Sequence, residues 1–124
     1  MSVLVKICGL TESVAVQAAV DAGADAVGFV FYDKSPRNLD PEEAARLAAG
    51  VPADVLRIAV MLHPDAGLWN EVSDALQPDV VQTDIDDFSY LQVAEGITKW
   101  PVLREGSVSG TETLPATFVY EGTQ

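Results

Sequence analysis

Short apolar runs alternate with longer amphipathic stretches along the whole chain. Six of these runs have the length and composition of buried strands: residues 3–8, 25–31, 56–62, 79–82, 100–103 and 117–121. The stretches between them predict helices over residues 13–20, 41–50 and 66–76, and a weaker helix over residues 88–93. Strands that are apolar on both faces and alternate with helices are typical of a parallel sheet built from right-handed βαβ units. The pattern therefore predicts an α/β protein.

Residues at the expected helix ends support these boundaries. Thr11 is a predicted N-cap for the first helix, and Gly23 supplies a left-handed stop after it. Pro41 suits the first position of the second helix, where the following Glu42 and Glu43 favour the positive end of the helix dipole.

Composition limits the protein class further. A chain of 124 residues with 48% hydrophobic residues is expected to form one domain, spanning residues 1–124, with a substantial core. One cysteine and one histidine exclude an internal disulfide and make a Cys/His metal site implausible. No secretory segment or membrane-spanning run is visible, so we expect a cytoplasmic protein with no membrane contact.

The formal charge of −12, from 19 acidic and 7 basic residues, argues against nucleic acid as a partner. The acidic residues are dispersed and are interpreted as a solvated surface: Asp40, Glu42, Glu43, Asp84, Asp86 and Asp87. Because cations are scarce, those that could meet an anionic ligand carry more weight.

The only cysteine, Cys8, lies where the first strand should end, within the segment Lys-Ile-Cys-Gly-Leu-Thr of residues 6–11. Active sites of α/β proteins gather at the carboxyl ends of the strands. Strand alternation places Lys6 on the same side as Cys8. Two interpretations stay open from these residues alone: a buried small hydrophobe, or a reactive thiol.

Three segments, in this order and spacing, resemble the phosphoribosylanthranilate isomerase family of tryptophan biosynthesis. They are Val-Lys-Ile-Cys-Gly-Leu-Thr (5–11), Ala-Gly-Ala-Asp-Ala-Val-Gly-Phe-Val-Phe (22–31) and Ser-Pro-Arg (35–37). The resemblance implies a (βα)8 TIM barrel. Six strands are present here, so the expected fold is an incomplete barrel, its N-terminal portion only. By this resemblance the last two βα units, and the family's glycine-rich phosphate-binding loops with them, are expected to lie outside these 124 residues.

The reaction that the resemblance implies is an Amadori rearrangement, an intramolecular aldose–ketose isomerisation. It converts N-(5'-phosphoribosyl)anthranilate into 1-(2-carboxyphenylamino)-1-deoxyribulose 5-phosphate. An acid protonates the ribose ring oxygen, and a base removes a proton from the neighbouring sugar carbon. This chemistry requires neither a metal nor an organic cofactor, and its substrate is a small anionic sugar phosphate.

The resemblance also implies roles for particular residues. Cys8 matches the family's general base, and Arg37 matches the arginine that binds the anthranilate carboxylate through two parallel hydrogen bonds. Gln82 matches a glutamine after strand four. Lys6 would bind substrate or supply positive charge, although pairing with a buried carboxylate inside the barrel is an equal alternative. Glu121 is the candidate general acid, at a position where the family has aspartate.

Two departures from the family pattern affect this site. Glu121 is one methylene longer than aspartate, and catalytic geometry tolerates little misplacement. Thr-Asp-Ile follows Gln82 where the family usually has Leu-His-Gly, so an acid replaces a histidine. Arg104 is a candidate extra cation after strand five, with a surface role as its alternative. His63 is interpreted as a loop histidine without a catalytic role.

Two rival functions remain at this level. The first is a non-catalytic truncated half-barrel that pairs with another chain through its open barrel edges, strands one and six. The second is a redox-sensing thiol protein, which would need an intermolecular partner because the chain has no second cysteine.

Overall fold

The computed structural model describes residues 3–104 and 119–121 of the chain. Within these residues there are six strands, three α-helices that connect the first four strands, and one 3₁₀ helix, Ile85–Ser89. The strands are β1 Lys6–Cys8, β2 Ala26–Phe31, β3 Leu56–Met61, β4 Val80–Asp84, β5 Thr98–Arg104 and β6 Val119–Glu121. The helices are α1 Ser13–Asp21, α2 Pro41–Ala48 and α3 Ala66–Leu76.

All these strands pair in parallel, and their spatial order follows the chain from β1 to β6. The crossovers that contain α1, α2 and α3 run over the same face of the sheet, so β1 to β4 lie side by side in chain order. The predicted α/β class with a parallel sheet is confirmed. No helix in the described ranges is long and apolar enough to cross a membrane.

The helices cover one face of the sheet, and the main core lies between the two layers. Strand residues that point to this face, such as Phe29 and Phe31, pack with Trp69 and Val72 of α3. These four side chains are at most 2% exposed. The opposite face, called the inner face below, carries a smaller apolar cluster of Ala26, Ile58 and Val80, with Leu56, Val60 and Trp100 against it.

Local signals explain the helix ends well. Asp40 caps α2 by accepting a hydrogen bond from the Glu42 amide, and Pro41 takes the first helical position as predicted. Gly23, with φ of 89°, is the left-handed residue after α1. Thr11 is not the N-cap of α1: Glu12 is, without a side-chain hydrogen bond.

Helix α1 begins at Ser13 as predicted, and the shift of its N-cap from Thr11 to Glu12 has a clear cause. The Gly9 and Leu10 amides both donate to the Gly28 carbonyl oxygen, at 3.0 and 3.3 Å. These bonds hold the chain against β2 beyond the end of β1, so the helix begins after Glu12.

The predicted weak helix over residues 88–93 is wrong. A 3₁₀ helix forms instead over Ile85–Ser89, because the Asp84 carboxylate accepts the Asp86 amide at 3.0 Å and starts the turn earlier. The expectation that the acidic residues are all solvated is also wrong for two of them. Asp84 is 7% exposed and Asp87 is 3% exposed.

The prediction of a buried first strand is wrong as well. Val3, Leu4, Val5 and Ile7 are 78%, 51%, 47% and 38% exposed. Among the described residues, β1 pairs with β2 alone, so its other edge and much of its surface lack neighbours. The sequence has the apolar character of a central strand, whereas the structure places β1 at an open edge.

Candidate functional site

Lys6, Cys8 and Gln82 lie on the inner face of the sheet, and Cys8 is the last residue of β1, at the end of the strand where chemistry is expected in parallel α/β folds. Cys8 is the register partner of Gly28, and Lys6 is the partner of Ala26, whose side chain belongs to the inner-face cluster. Alternation along β4 places Gln82 on the same face as Val80. The three predicted site residues therefore share one surface.

A hydrogen bond crosses this face from β1 to β4. The Lys6 ammonium donates to Gln82 Oε1 at 2.5 Å, although β2 and β3 lie between the two strands. Strands three places apart in a flat sheet would be separated by about 14 Å, with side chains standing perpendicular to the sheet. The bond therefore requires a curved sheet with a concave inner face. It also shows that the polar partner of Lys6 is an amide.

The Cys8 thiol lies against a position that has no side chain. A Cβ atom at Gly28 would be 3.1 Å from Cys8 Sγ and 3.3 Å from Val60 Cγ2. Gly28 therefore leaves the space that Sγ occupies on the inner face. Cys8 is exposed and forms no disulfide, so the buried-hydrophobe interpretation is wrong.

Arg37 reaches the same region from the loop between β2 and α2. Its side chain crosses directly over Gly9, where a Cβ atom would come within 2.4 Å of Arg37 Cδ. Gly9 has φ of 78°, a left-handed conformation that side chains disfavour. The loop itself is locally braced, because the Arg37 amide donates to Ser35 Oγ at 3.1 Å. The guanidinium-bearing side chain thus lies beside the residue that follows Cys8.

The structure places Glu121 by its backbone alone. Glu121 lies on β6 as the register partner of Arg104 on β5. The side chains of both residues are outside the described part of the chain. Their assignments, as acid and as extra cation, therefore stay predictions.

A polar network that the sequence analysis missed lies at the outer side of β4. The buried Asp87 carboxylate accepts hydrogen bonds from Thr83 Oγ1 at 2.6 Å and from the His63 amide at 2.9 Å. Its other oxygen lies 2.8 Å from His63 Nδ1 and 3.4 Å from the Tyr90 hydroxyl, which donates to the Pro64 carbonyl oxygen at 2.6 Å. His63 is a loop residue as predicted, but it is hydrogen-bonded to Asp87 in the 3₁₀ helix that follows β4.

Two pKa values respond to this network. Burial on its own raises the pKa of Asp87, but hydrogen bonds from His63 and Thr83 outweigh burial and hold that pKa below its ordinary value. Burial, followed by the negative charge of Asp87, raises the pKa of the Tyr90 phenol. The sequence contains a signal for this network, because Asp84, Asp86 and Asp87 cluster at the end of a strand, where carboxylates often cap turns.

Together these groups supply positive charge and hydrogen bonds that suit an organic anion, beside a thiol. The inner face offers a thiol, an ammonium and an amide, and a guanidinium fork stands at its rim. No group of three or more His, Cys, Asp or Glu side chains within the described ranges could hold a metal ion.

Replacing Gly9 tests the contact with Arg37. Gly9→Ala should destabilise the fold by roughly 1–2 kcal/mol through its left-handed backbone and should also displace the Arg37 side chain. Gly23→Ala is the matched control, because Gly23 is equally left-handed but has no atom within 4 Å of its Cβ position. Urea unfolding measures the loss of stability that the left-handed backbone causes in both variants.

Cys8 alkylation then separates the two variants. Iodoacetate is attracted by nearby cations and iodoacetamide is not, so a change in the ratio of their rates between variants that keep Lys6 reports displacement of the Arg37 guanidinium. We expect this ratio to fall in Gly9→Ala and to stay at the wild-type value in Gly23→Ala. Equal ratios in all three proteins would contradict the contact.

Acidification tests Asp87. Because its pKa is lowered in the folded state, its contribution to stability is complete above the ordinary value and is lost as pH falls through the folded pKa. At neutral pH, Asp87→Asn should lower the free energy of unfolding by about 1–3 kcal/mol. When the pH falls below about 4, the free energy of unfolding should decrease less in Asp87→Asn than in the wild type. Urea unfolding at both pH values measures this, with the exposed Asp86→Asn as control. Parallel losses in wild type and Asp87→Asn would exclude the effect.

Comparison with known proteins assigns the family. Residues 5–113 match the sequence model of N-(5'-phosphoribosyl)anthranilate (PRA) isomerase. The PRA isomerase of Paracoccus denitrificans is 42% identical over 122 residues, covering 97% of this chain and 56% of that protein. The Parvibaculum lavamentivorans isomerase is 47% identical over 87 residues, covering 70% of this chain and 40% of that protein. The chain thus spans about half the length of these relatives.

Solved structures agree with the sequence matches. The phosphoribosylanthranilate isomerase of Thermotoga maritima superposes with a TM-score of 0.74 at 34% identity, covering 83% of this chain and 51% of that one. A second structure of a phosphoribosylanthranilate isomerase has the same TM-score and identity, and the match covers 83% of this chain and 54% of that one. That structure is a complex with reduced 1-(o-carboxyphenylamino)-1-deoxyribulose 5-phosphate. By its sequence and by its fold, this chain belongs to the PRA isomerase family.

Proposed function

We propose that this chain contributes the PRA isomerase reaction, the Amadori rearrangement of N-(5'-phosphoribosyl)anthranilate in tryptophan biosynthesis. The observation that carries the proposal is the placement of Cys8 and the Lys6–Gln82 pair on the inner face, with the Arg37 side chain over Gly9, the residue that follows Cys8. The product analogue bound by a structural relative belongs to the same chemistry. The proposed substrate is accordingly an anionic sugar phosphate.

Each residue has a distinct role in this proposal. Cys8 acts as the general base that removes the proton from the sugar carbon, and Glu121 acts as the general acid at the ring oxygen. Arg37 binds the anthranilate carboxylate through its guanidinium fork, for which lysine is no substitute. Lys6 and Gln82 bind the substrate from the floor of the inner face, where their mutual hydrogen bond fixes both side chains.

We further propose that residues 1–124 form the N-terminal portion of a (βα)8 barrel. Support comes from the sequential parallel order of β1 to β6, the curvature that the Lys6–Gln82 bond requires, and the span of about half of the relatives. In this proposal the last two βα units close the barrel and supply the phosphate-binding loops. A cytoplasmic location, without nucleic-acid or membrane contacts, is proposed on the sequence grounds given above.

Turnover is the direct test. The chain should convert N-(5'-phosphoribosyl)anthranilate, followed by the loss of substrate fluorescence, either alone or mixed with the part of the Paracoccus denitrificans relative that it does not match. Cys8→Ala should lower kcat by about 10²–10⁴, the usual contribution of a general base. Arg37→Lys should raise KM several-fold because the bidentate fork is lost. Arg46→Lys, an exposed change of the same kind on α2, is the control.

No turnover by the folded wild type under either condition would refute the isomerase proposal. It would favour the non-catalytic half-barrel or, if the single thiol forms intermolecular disulfides under oxidant, the redox alternative. Equal loss in Arg37→Lys and Arg46→Lys would remove the proposed role of Arg37.

The apolar residues of the open β1 edge also support association with another polypeptide, as predicted for the barrel edges. Val3, Leu4, Val5 and Ile7 are exposed beside strand backbone that has no neighbour in the described part of the sheet. A second copy of the chain carries a charge of −12, so self-association should strengthen as salt screens the repulsion.

Lysines on this edge should prevent association. Leu4→Lys/Val5→Lys should remain monomeric in sedimentation across a range of concentrations, whereas the wild type should associate as concentration and salt increase. Val14→Lys changes a valine that is 76% exposed on α1 and should behave as wild type. A wild type that is monomeric throughout, or a double variant that associates equally, would contradict edge pairing.

A further inference from the structure

One buried carboxylate holds the loop that follows β3. Asp87 is 3% exposed and is anchored to β4 by Thr83 Oγ1 at 2.6 Å. The Asp87 carboxylate accepts two hydrogen bonds from His63, one from the backbone amide at 2.9 Å and one from Nδ1 at 2.8 Å. The Tyr90 hydroxyl binds the next residue of the loop at the Pro64 carbonyl oxygen. Two consecutive loop residues are thus tied to the segment after β4.

The backbone conformation of His63 depends on its two hydrogen bonds to Asp87. His63 has φ of 47°, a left-handed conformation that is unfavourable for a residue with a side chain. Two hydrogen bonds to one carboxylate can offset that cost. They also determine the tautomer: an acceptor at Nδ1 requires a proton on that nitrogen, so the neutral ring must be the Nδ1–H form.

The loop after β3, which contains His63 and Pro64, faces the loop that carries Arg37. The two loops leave neighbouring parallel strands just after their last register pair, Phe31 and Met61. A cavity of about 480 Å³ lies between them on the outer side of the sheet. Tyr32, Lys34 and Asn38 line it from the Arg37 loop, and His63 lines it from the other side. The Arg37 side chain lies over Gly9 and does not line this cavity.

We propose that Asp87 is a positioning residue for Arg37, acting through His63. The carboxylate fixes the His63 loop as the outer wall behind the β2–α2 loop, residues 32–40, and this wall determines how that loop presents Arg37 to the inner face. Asp87 does not touch the substrate. The inference rests on the proposed function, which assigns the substrate carboxylate to Arg37.

The sole histidine allows a direct spectroscopic test. The ¹⁵N spectrum contains the signals of one imidazole ring, and it is recorded on the alkaline plateau of a pH series, where the ring is neutral. The wild type should show the Nδ1–H tautomer, and Asp87→Asn should lose this preference. Asp86→Asn makes the same charge change on the same 3₁₀ helix at an exposed position, and it should keep the wild-type tautomer.

The positioning step needs its own readout, which is the amide spectrum of residues 33–38 and Gly9. These signals should shift in Asp87→Asn and remain in place in Asp86→Asn. His63→Val, at an exposed position, provides a second route if Asp87→Asn fails to fold, because a β-branched residue resists the left-handed conformation. His63→Asn tolerates that conformation and retains a side-chain donor, so it should restore most of the wild-type signals.

An Nε2–H ring in the wild type would overturn the proposal. So would unchanged signals for residues 33–38 and Gly9 in Asp87→Asn or, if that variant does not fold, in His63→Val. In the turnover assay, the expected effect of Asp87→Asn is a several-fold rise in KM with kcat nearly kept. Absence of wild-type turnover would refute the proposed function while the spectra still decide the role of Asp87, so the two failures are distinguishable.

Discussion

The hydrogen bond between Lys6 and Gln82 is the constraint on which the candidate site depends. A half-buried ammonium must find an acceptor, because an unpaired charge away from water is costly. Its acceptor here is a neutral amide on β4, three strands away, so the sheet must curve to bring the two together. Since an amide does not cancel the charge of Lys6, the inner face keeps a cation in a chain of net charge −12. A local positive charge is what an anionic sugar phosphate requires.

Two glycines provide the space around that charge. Gly28 leaves room for the Cys8 thiol, and Gly9 leaves room for the Arg37 side chain. In both cases the side chain that fills the space comes from a different part of the chain, so the two glycines join three segments into one site. The family motif contains both residues, but only the structure shows which atoms each of them accommodates. Position 28 requires glycine because a side chain would contact Cys8. Position 9 requires glycine because a side chain would contact Arg37 and because its φ is left-handed.

Features encoded by neighbouring residues could be predicted from the sequence. Helix α3 spans Ala66–Leu76, the residues predicted for it, because Asp65 caps one end and the apolar period marks its length. Features that depend on distant partners could not. Asp87 looks like one more surface acid until His63, 24 residues earlier, supplies its donors. The exposure of β1 follows from its pairing with β2 alone among the described strands, which no local pattern of apolar residues reveals.

Strand β4 connects the chemistry of the inner face with the scaffold behind it. It is buried along its whole length, and its residues alternate between two polar networks: Gln82 faces Lys6, whereas Thr83 faces Asp87. A shift of one residue in register would exchange these two side chains and break both networks at once. Five register pairs with β5 and three with β3 oppose such a shift. The same pairing that builds the sheet therefore determines which side chain reaches the inner face, and the position of the candidate site follows from strand register.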